Sequence, residues 1–147
     1  MKSDNDILLK IKEWWNEDSK IDIDQLHQEA FKIPMLHAKY LNEQSLIRQL
    51  RIKKEYEKKI LKLKLYNHFG GKDLMEERPS ALRKVIGAEN IQRHVECDDD
   101  MVRINSQIDY LNLTIDYITE VIKMIHNRSF QIKHAIDYQK FQSGMDL

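Results

Sequence analysis

A single cysteine, Cys97, excludes an intramolecular disulfide framework and suits a reducing compartment. Only four glycines and two prolines punctuate 147 residues, which leaves little material for the turns of an all-β domain. None of those glycines opens a Gly-rich loop ending in Lys and Ser or Thr, so no phosphate cradle of the P-loop kind exists and nucleotide hydrolysis is not expected. No apolar run approaches the roughly 20 residues needed to span a bilayer. The stretch from Ile7 to Ile11 is too short, and too interrupted by Lys10, for the apolar core of a signal peptide. A cytoplasmic protein is therefore expected.

Catalytic and metal-binding patterns are also missing. His27, His37, His68, His94, His126 and His134 are scattered without an H-E-x-x-H pair and read as surface histidines, and His94 with Cys97 lacks the further ligands of a zinc site. The run Asp98, Asp99, Asp100 has neither the alternating ligands nor the glycine of a calcium loop, and it stands where an acidic helix N-terminus is wanted. No carboxylate arrangement forms a defensible active site. The expectation is a non-enzyme without metal or cofactor.

What the chain does have is charge, distributed unevenly. The net charge is zero, with 24 basic and 24 acidic residues. Yet the window from Leu46 to Leu65 holds Arg48, Arg51, Lys53, Lys54, Lys58, Lys59, Lys62 and Lys64 against only Glu55 and Glu57. A cationic segment balanced by an acidic remainder is the footprint of a protein that meets phosphate backbones or acidic partners. Nothing between Leu36 and Tyr66 breaks a helix, and Arg48, Arg51, Lys54, Lys58 and Lys62 fall on one broad stripe, which Tyr66 extends. Ile52, Tyr56, Ile60 and Leu63 form a separate apolar stripe, expected to pack while the basic one faces solvent. A lysine stripe is ordinarily just a solvated face, but such a face interleaves Glu with Lys for pairing four residues apart, and here the two signs are far out of balance.

Length and periodicity point to one helical domain over 1–147. A short N-terminal helix is expected within 1–20, where Ile7, Leu8, Ile11, Trp14 and Trp15 share an apolar face and the tryptophans pack. A long basic helical region covers 21–71, with Asp22 or Asp24 capping a helix through Phe31, Pro34 in the first turn of the long helix, and Gly70 with Gly71 stopping it. An acidic connector follows over 72–100, with short helical turns and an extended stretch around Ile91 to Cys97. The last region, 101–147, carries C-terminal oligomerisation helices.

The pattern there is a heptad seam. Ile104, Ile108, Leu111, Ile115, Ile118, Ile122 and Ile125 recur at alternating four- and three-residue steps, and the register resumes at Ile132 and Ile136. Isoleucine at both core positions favours assemblies above two strands. Leu113, Tyr117, Val121 and Met124 add apolar surface elsewhere on this helix, so one partner helix cannot cover it. Either the seam packs on the basic helix and the second surface meets another subunit, or the reverse; an intramolecular helical hairpin with no oligomer is the remaining arrangement.

Three stretches carry a family resemblance: Leu36-His37-Ala38-Lys39-Tyr40-Leu41-Asn42, the basic Lys62-Leu63-Lys64-Leu65-Tyr66 ahead of Gly70, and Asn127-Arg128-Ser129-Phe130-Gln131-Ile132-Lys133-His134 with Asp137, Phe141 and Gly144. In order from about Ile21 to Gly144 they resemble the UvsY recombination mediators of T-even-like bacteriophages. The resemblance implies an all-α fold, in which a long basic helix packs with the heptad-patterned C-terminal helix and copies assemble into a ring-like or open-barrel homo-oligomer of six or seven subunits. It implies a mediator that binds single-stranded DNA and helps load a RecA-like recombinase onto strands covered by single-stranded DNA-binding protein, in the cytoplasm of a phage's bacterial host. Lys62 and Lys64 match the family's DNA-binding basic pair. With Arg51, Lys54, Lys58, Lys59 and Tyr66 they make the expected nucleic-acid contacts. The oligomer interface is expected at Ile108, Leu111, Ile115, Ile118, Ile122, Ile125, Phe130, Ile132 and Ile136. Lys64 stands where the family can carry arginine, which would replace a bidentate clamp by a point charge, and 72–100 aligns poorly.

The rival reading is an oligomeric helical adaptor or a protein of anionic membrane surfaces, with the basic helix lying on lipid. The need for the Ile52 to Leu63 stripe in the core argues against it, and no membrane partner is expected.

Overall fold

The computed structural model describes residues 5–71 and 87–144. Four α-helices account for most of them: α1 (Asn5–Asp18), α2 (Leu26–Phe69), α3 (Ala88–Cys97) and α4 (Asp99–Gln142), with a short 3-10 turn, Ile23–Gln25, ahead of α2. The described residues contain no strand, and the fold is all-α. The contacts group into two compact units, one of residues 1–48 and 113–147, the other of residues 49–112.

Helix boundaries follow local chemistry. The Asp22 carboxylate accepts from the Asp24 backbone N–H at 3.0 Å and caps the turn that leads into α2. At the far end of α2, Gly70 N–H bonds the Tyr66 carbonyl and Gly71 N–H the His68 carbonyl, with Gly71 at φ 73°, a left-handed cap suited to glycine. Asp98 does for α4 what its position suggested, its Oδ1 accepting from the Asp100 N–H at 3.0 Å.

Three expectations about these elements are corrected. Pro34 does not begin the long helix but lies inside α2. An interior proline forfeits a backbone hydrogen bond, at a cost of about 3 kcal/mol. Here Leu26, Glu29, Leu36 and Tyr40 are buried along one side of the helix while Pro34 is exposed, so packing before and after the proline holds one continuous helix. The stretch Ile91 to Cys97 is helical rather than extended, because Ile91 and Val95 stand four residues apart and bring one apolar face onto a core. The C-terminal region is one helix running through Ser129 to Gln142. The remainder of the expected connector, residues 72–86, lies outside the described residues.

In the first unit α1, α2 and α4 bury Ile11, Leu36, Tyr40, Ile47, Ile115, Ile118, Val121, Ile125 and Ile132. Among the described residues no buried side-chain polar atom lacks a hydrogen-bond partner. Buried Arg128 donates from Nη2 to the Asp18 carbonyl at the end of α1 (2.6 Å) and lies over the Trp15 ring at 5.7 Å. The Asp18 carboxylate accepts from Lys39 Nζ (2.7 Å) and from the Tyr40 hydroxyl (2.8 Å), and the Tyr40 ring meets Trp15 edge-on at 5.8 Å. Burial, reinforced by the bond to Asp18, pushes the Tyr40 phenol further above the ordinary tyrosine range, so it remains a neutral donor. Trp14 receives Lys10 and Lys39 over its ring, each at 4.6 Å, and both tryptophans are half-buried as expected.

The second unit has a smaller core of Leu65, Val95, Met101, Ile104 and Ile108, with Leu61, Tyr66, Phe69 and Ile91 packed at its edge. His68 is buried here beside Phe69, and is not the surface histidine its isolation implied.

Two stability predictions follow from these cores. Leu65 is fully buried and Leu63 is 64% exposed, so in urea unfolding Leu65→Ala should cost about 2–5 kcal/mol and Leu63→Ala about 0.5 kcal/mol or less. Equal losses would invert the assignment of the two faces. Arg128→Ala removes a charged donor and the cation over Trp15, and its measured cost should be about 2–3 kcal/mol, with the Asp18 carbonyl left unpaired.

Candidate nucleic-acid interface

Residues buried or half-buried along α2 run Tyr40, Gln44, Ile47, Arg51, Lys54, Lys58, Leu61, Leu65, His68, again at alternating steps of four and three. The inward seam of the helix thus carries cations in its middle. Arg51 is held by Asn112 on α4, Nη1 donating to Oδ1 at 3.2 Å, and Lys54 pairs with Glu57 at 3.0 Å. Lysine stems can cover apolar surface while their ammonium groups reach the rim, which lets Lys54 and Lys58 occupy a seam without an unpaired buried charge.

This inverts the expected facing of the helix. Ile52, Tyr56, Ile60 and Leu63, read as the packing stripe, are exposed, Ile52 to 64% and Tyr56 to 66%. Arg51, Lys54 and Lys58, read as solvent-facing, stand on the same side as Leu61 and Leu65. Two stripes competed for the core along α2, and the one that won is completed by the apolar face of α3. The outward face therefore has an apolar centre between two basic flanks: Arg48, Lys59 and Lys62 on one side, Lys53 and Lys64 on the other.

Of the residues expected to contact nucleic acid, Lys59, Lys62 and Lys64 are exposed, and none of them forms an ion pair among the described residues. Lys62 and Lys64, two residues apart, diverge by about 200° around the helix and cannot grip one phosphate together. Tyr66 is half-buried, with Lys62 Nζ 6.0 Å from its ring centre and its body against the unit's core. Tyr56, which periodicity assigned to the core, is the more accessible aromatic. Its signal in the sequence was the pair of lysines three residues to either side, Lys53 and Lys59.

The residues expected at the oligomer interface divide differently. Ile108, Leu111, Ile115, Ile118, Ile125 and Ile132 are buried within the single chain, and Ile122 and Ile136 are half-buried. The six buried residues have their apolar surface covered within the protomer, while Ile122 and Ile136 keep part of theirs exposed. Phe130 differs, at 65% exposed, and shares an outward sector of α4 with Tyr138 and Phe141.

Among the described residues no group of His, Cys, Asp and Glu is placed to hold a metal ion, and no helix is long and apolar enough to cross a membrane.

The chain is similar to known proteins over nearly its whole length. The family of recombination, repair and ssDNA binding protein UvsY matches residues 14–145. Recombination protein uvsY of Enterobacteria phage T4 is 27% identical over 135 residues, covering 91% of this chain and 96% of the relative. Two crystal structures of the bacteriophage T4 recombination mediator protein UvsY superpose with TM-scores of 0.79 and 0.80, at 24% and 22% identity, covering 92% and 90% of this chain and 98% of each T4 chain. Extent of match and shared helical architecture agree, and the chain belongs to the UvsY family of recombination, repair and single-stranded DNA-binding proteins.

Proposed function

We propose that this protein works as an oligomeric mediator, holding single-stranded DNA on the outward face of α2 and passing it to a RecA-like recombinase at the expense of single-stranded DNA-binding protein. The observation that carries this reading is the exposed set Lys59, Lys62 and Lys64, without an ion pair among the described residues, on a family member whose α2 exposes apolar surface between basic flanks. Positive flanks can track phosphates without regard to sequence, and an apolar centre can receive bases. Binding that rests on phosphate contacts weakens steeply with salt, which suits a protein that must release its strand. About five neutralised phosphates would give a hundredfold loss over a fourfold rise in salt.

Assembly belongs to the same proposal. The exposed Phe130, Tyr138 and Phe141 sector at the end of α4 is the surface favoured for contact between copies, in a ring or open barrel of six or seven. Several modest sites on one assembly bind a long strand with avidity that no single helix supplies. The exposed Ile52 to Leu63 stripe removes one reason for setting aside an anionic membrane surface, since those residues are not held in the core, while the sparse aromatic rim of an interfacial helix still speaks against it. Sedimentation with acidic vesicles separates the two: a mediator prefers single strands and leaves vesicles unbound.

Lys62→Ala with Lys64→Ala should leave the melting temperature almost unchanged, because both side chains are exposed and alanine is a good helix former. Affinity for strands of any sequence should fall, and the slope of log affinity against log salt should become shallower by about 1.4 per engaged subunit. Parental affinity and slope would place the DNA elsewhere. Phe130→Asp with Phe141→Asp should release smaller species in analytical ultracentrifugation and weaken binding to long strands far more than to short ones. An unchanged mass distribution would move the interface off this sector.

A further inference from the structure

Between α2 and α4 of the second unit lies an open cavity of about 310 Å³ lined by Arg51, Ile52, Glu55, Tyr56, Lys59 and Asn112. Its volume falls at the low end of the range for small-ligand pockets, about 300–1,000 Å³. Its lining combines an aromatic ring, an aliphatic wall, two cations and two groups able to read polar edges.

We propose that this cavity seats one unstacked nucleobase of a bound single strand, with Tyr56 as the stacking face and Arg51 and Lys59 on the adjoining phosphates. The proposal rests on the single-strand reading above and adds a base-holding site to it. Tyr56 and Ile52 stand one turn apart on an outward face and are about two-thirds exposed, so the ring is available without disturbing the core. Lys59 follows Tyr56 by three residues, which places an ammonium group without an ion pair among the described residues one turn from the ring. Arg51 is steadied by its bond to Asn112 Oδ1. That bond leaves the Asn112 amide hydrogens to donate to a base carbonyl, while the Glu55 carboxylate can accept from an exocyclic amine. Donor and acceptor are thus both at hand, and every base has a π-face, so the seat tolerates any sequence.

A second copy of the chain fits the lining less well. The two cations of the lining outnumber its one acid, Glu55, which complements a phosphate backbone and disfavours the lysine-rich α2 of a symmetric partner. The half-buried Tyr66, the aromatic suggested by sequence, cannot offer a free face in the same way because its ring packs on the core.

The test compares the full-length parent, Tyr56→Leu and Tyr56→Phe on a labelled oligodeoxythymidylate and on an abasic strand of equal length. Stacking on an aromatic residue is worth enough that Tyr56→Leu should weaken binding to the natural strand by about fivefold or more, while Tyr56→Phe keeps parental affinity. On the abasic strand all three proteins should bind alike, and the salt slope should be the same for each. No loss with Tyr56→Leu, or an equal loss on both strands, overturns the base seat and leaves the phosphate track intact. An equal loss accompanied by smaller species in ultracentrifugation assigns the stripe to contact between copies and overturns it likewise. A parent that binds neither strand overturns the single-strand reading, and this proposal with it.

Discussion

Along helix α2 the buried and half-buried positions recur at alternating steps of four and three from Tyr40 to His68, and their character changes along the helix. The series begins with Tyr40, Gln44 and Ile47, continues through Arg51, Lys54 and Lys58, and ends on Leu61, Leu65 and His68. A helix can direct only one stripe toward a given neighbour, so the placement of these residues decides where every other side chain of α2 must go. With three cations in the inward stripe, Ile52, Tyr56, Ile60 and Leu63 are left outside. The basic helix is thus neither a solvated lysine face nor a buried apolar one. It joins the two kinds of surface that a single strand, with charged backbone and flat bases, presents to a protein.

Much of the architecture could be read directly. The absence of breakers from Leu36 to Tyr66, the Gly70 and Gly71 stop, the Asp98 cap and the isoleucine seam of α4 each have a local cause, and each is where the sequence placed it. What resisted was the choice between stripes of similar apolar content on one helix. Ile52, Tyr56, Ile60 and Leu63 make as good an apolar pattern as Leu61 and Leu65, and the latter pack in a core completed by Ile91 and Val95 of α3, a helix rather than an extended stretch, and by Met101, Ile104 and Ile108 of α4. Pro34 misled for a related reason, since local propensity marks a boundary that packing on the opposite side of the helix overrides.

The same limit applies to the candidate site. Lys59, Lys62 and Lys64 were visible as charge, and their exposure agrees with that. Half-buried Arg51 and Lys54 were indistinguishable from them, because periodicity gives a relative angle and not which angle faces water. Arg128 was visible only as part of a family signature. Its physical task, tying the far part of α4 to the last carbonyl of α1 across Trp15, needs three dimensions to appear. A heptad seam likewise says that something covers it, and says nothing of whether the cover comes from the same chain.

One modest bond in the first unit has a consequence for how the helices pair. Gln44 Nε2 donates to Thr119 Oγ1 at 2.8 Å, and the Thr119 hydroxyl in turn donates to the Ile115 carbonyl at 2.8 Å. Isoleucine rows alone are nearly periodic, so a slide of α4 by one heptad would present almost the same apolar relief. Gln44 distinguishes the alignments: a heptad slide would set Asn112 or His126 opposite it in place of Thr119, and the linked bonds through the Thr119 hydroxyl to the Ile115 carbonyl would be lost, each worth about 0.5–1.5 kcal/mol. The bond therefore acts as an index mark, separating one alignment of two long helices from its neighbours in the way a lone polar residue fixes the register of a coiled coil.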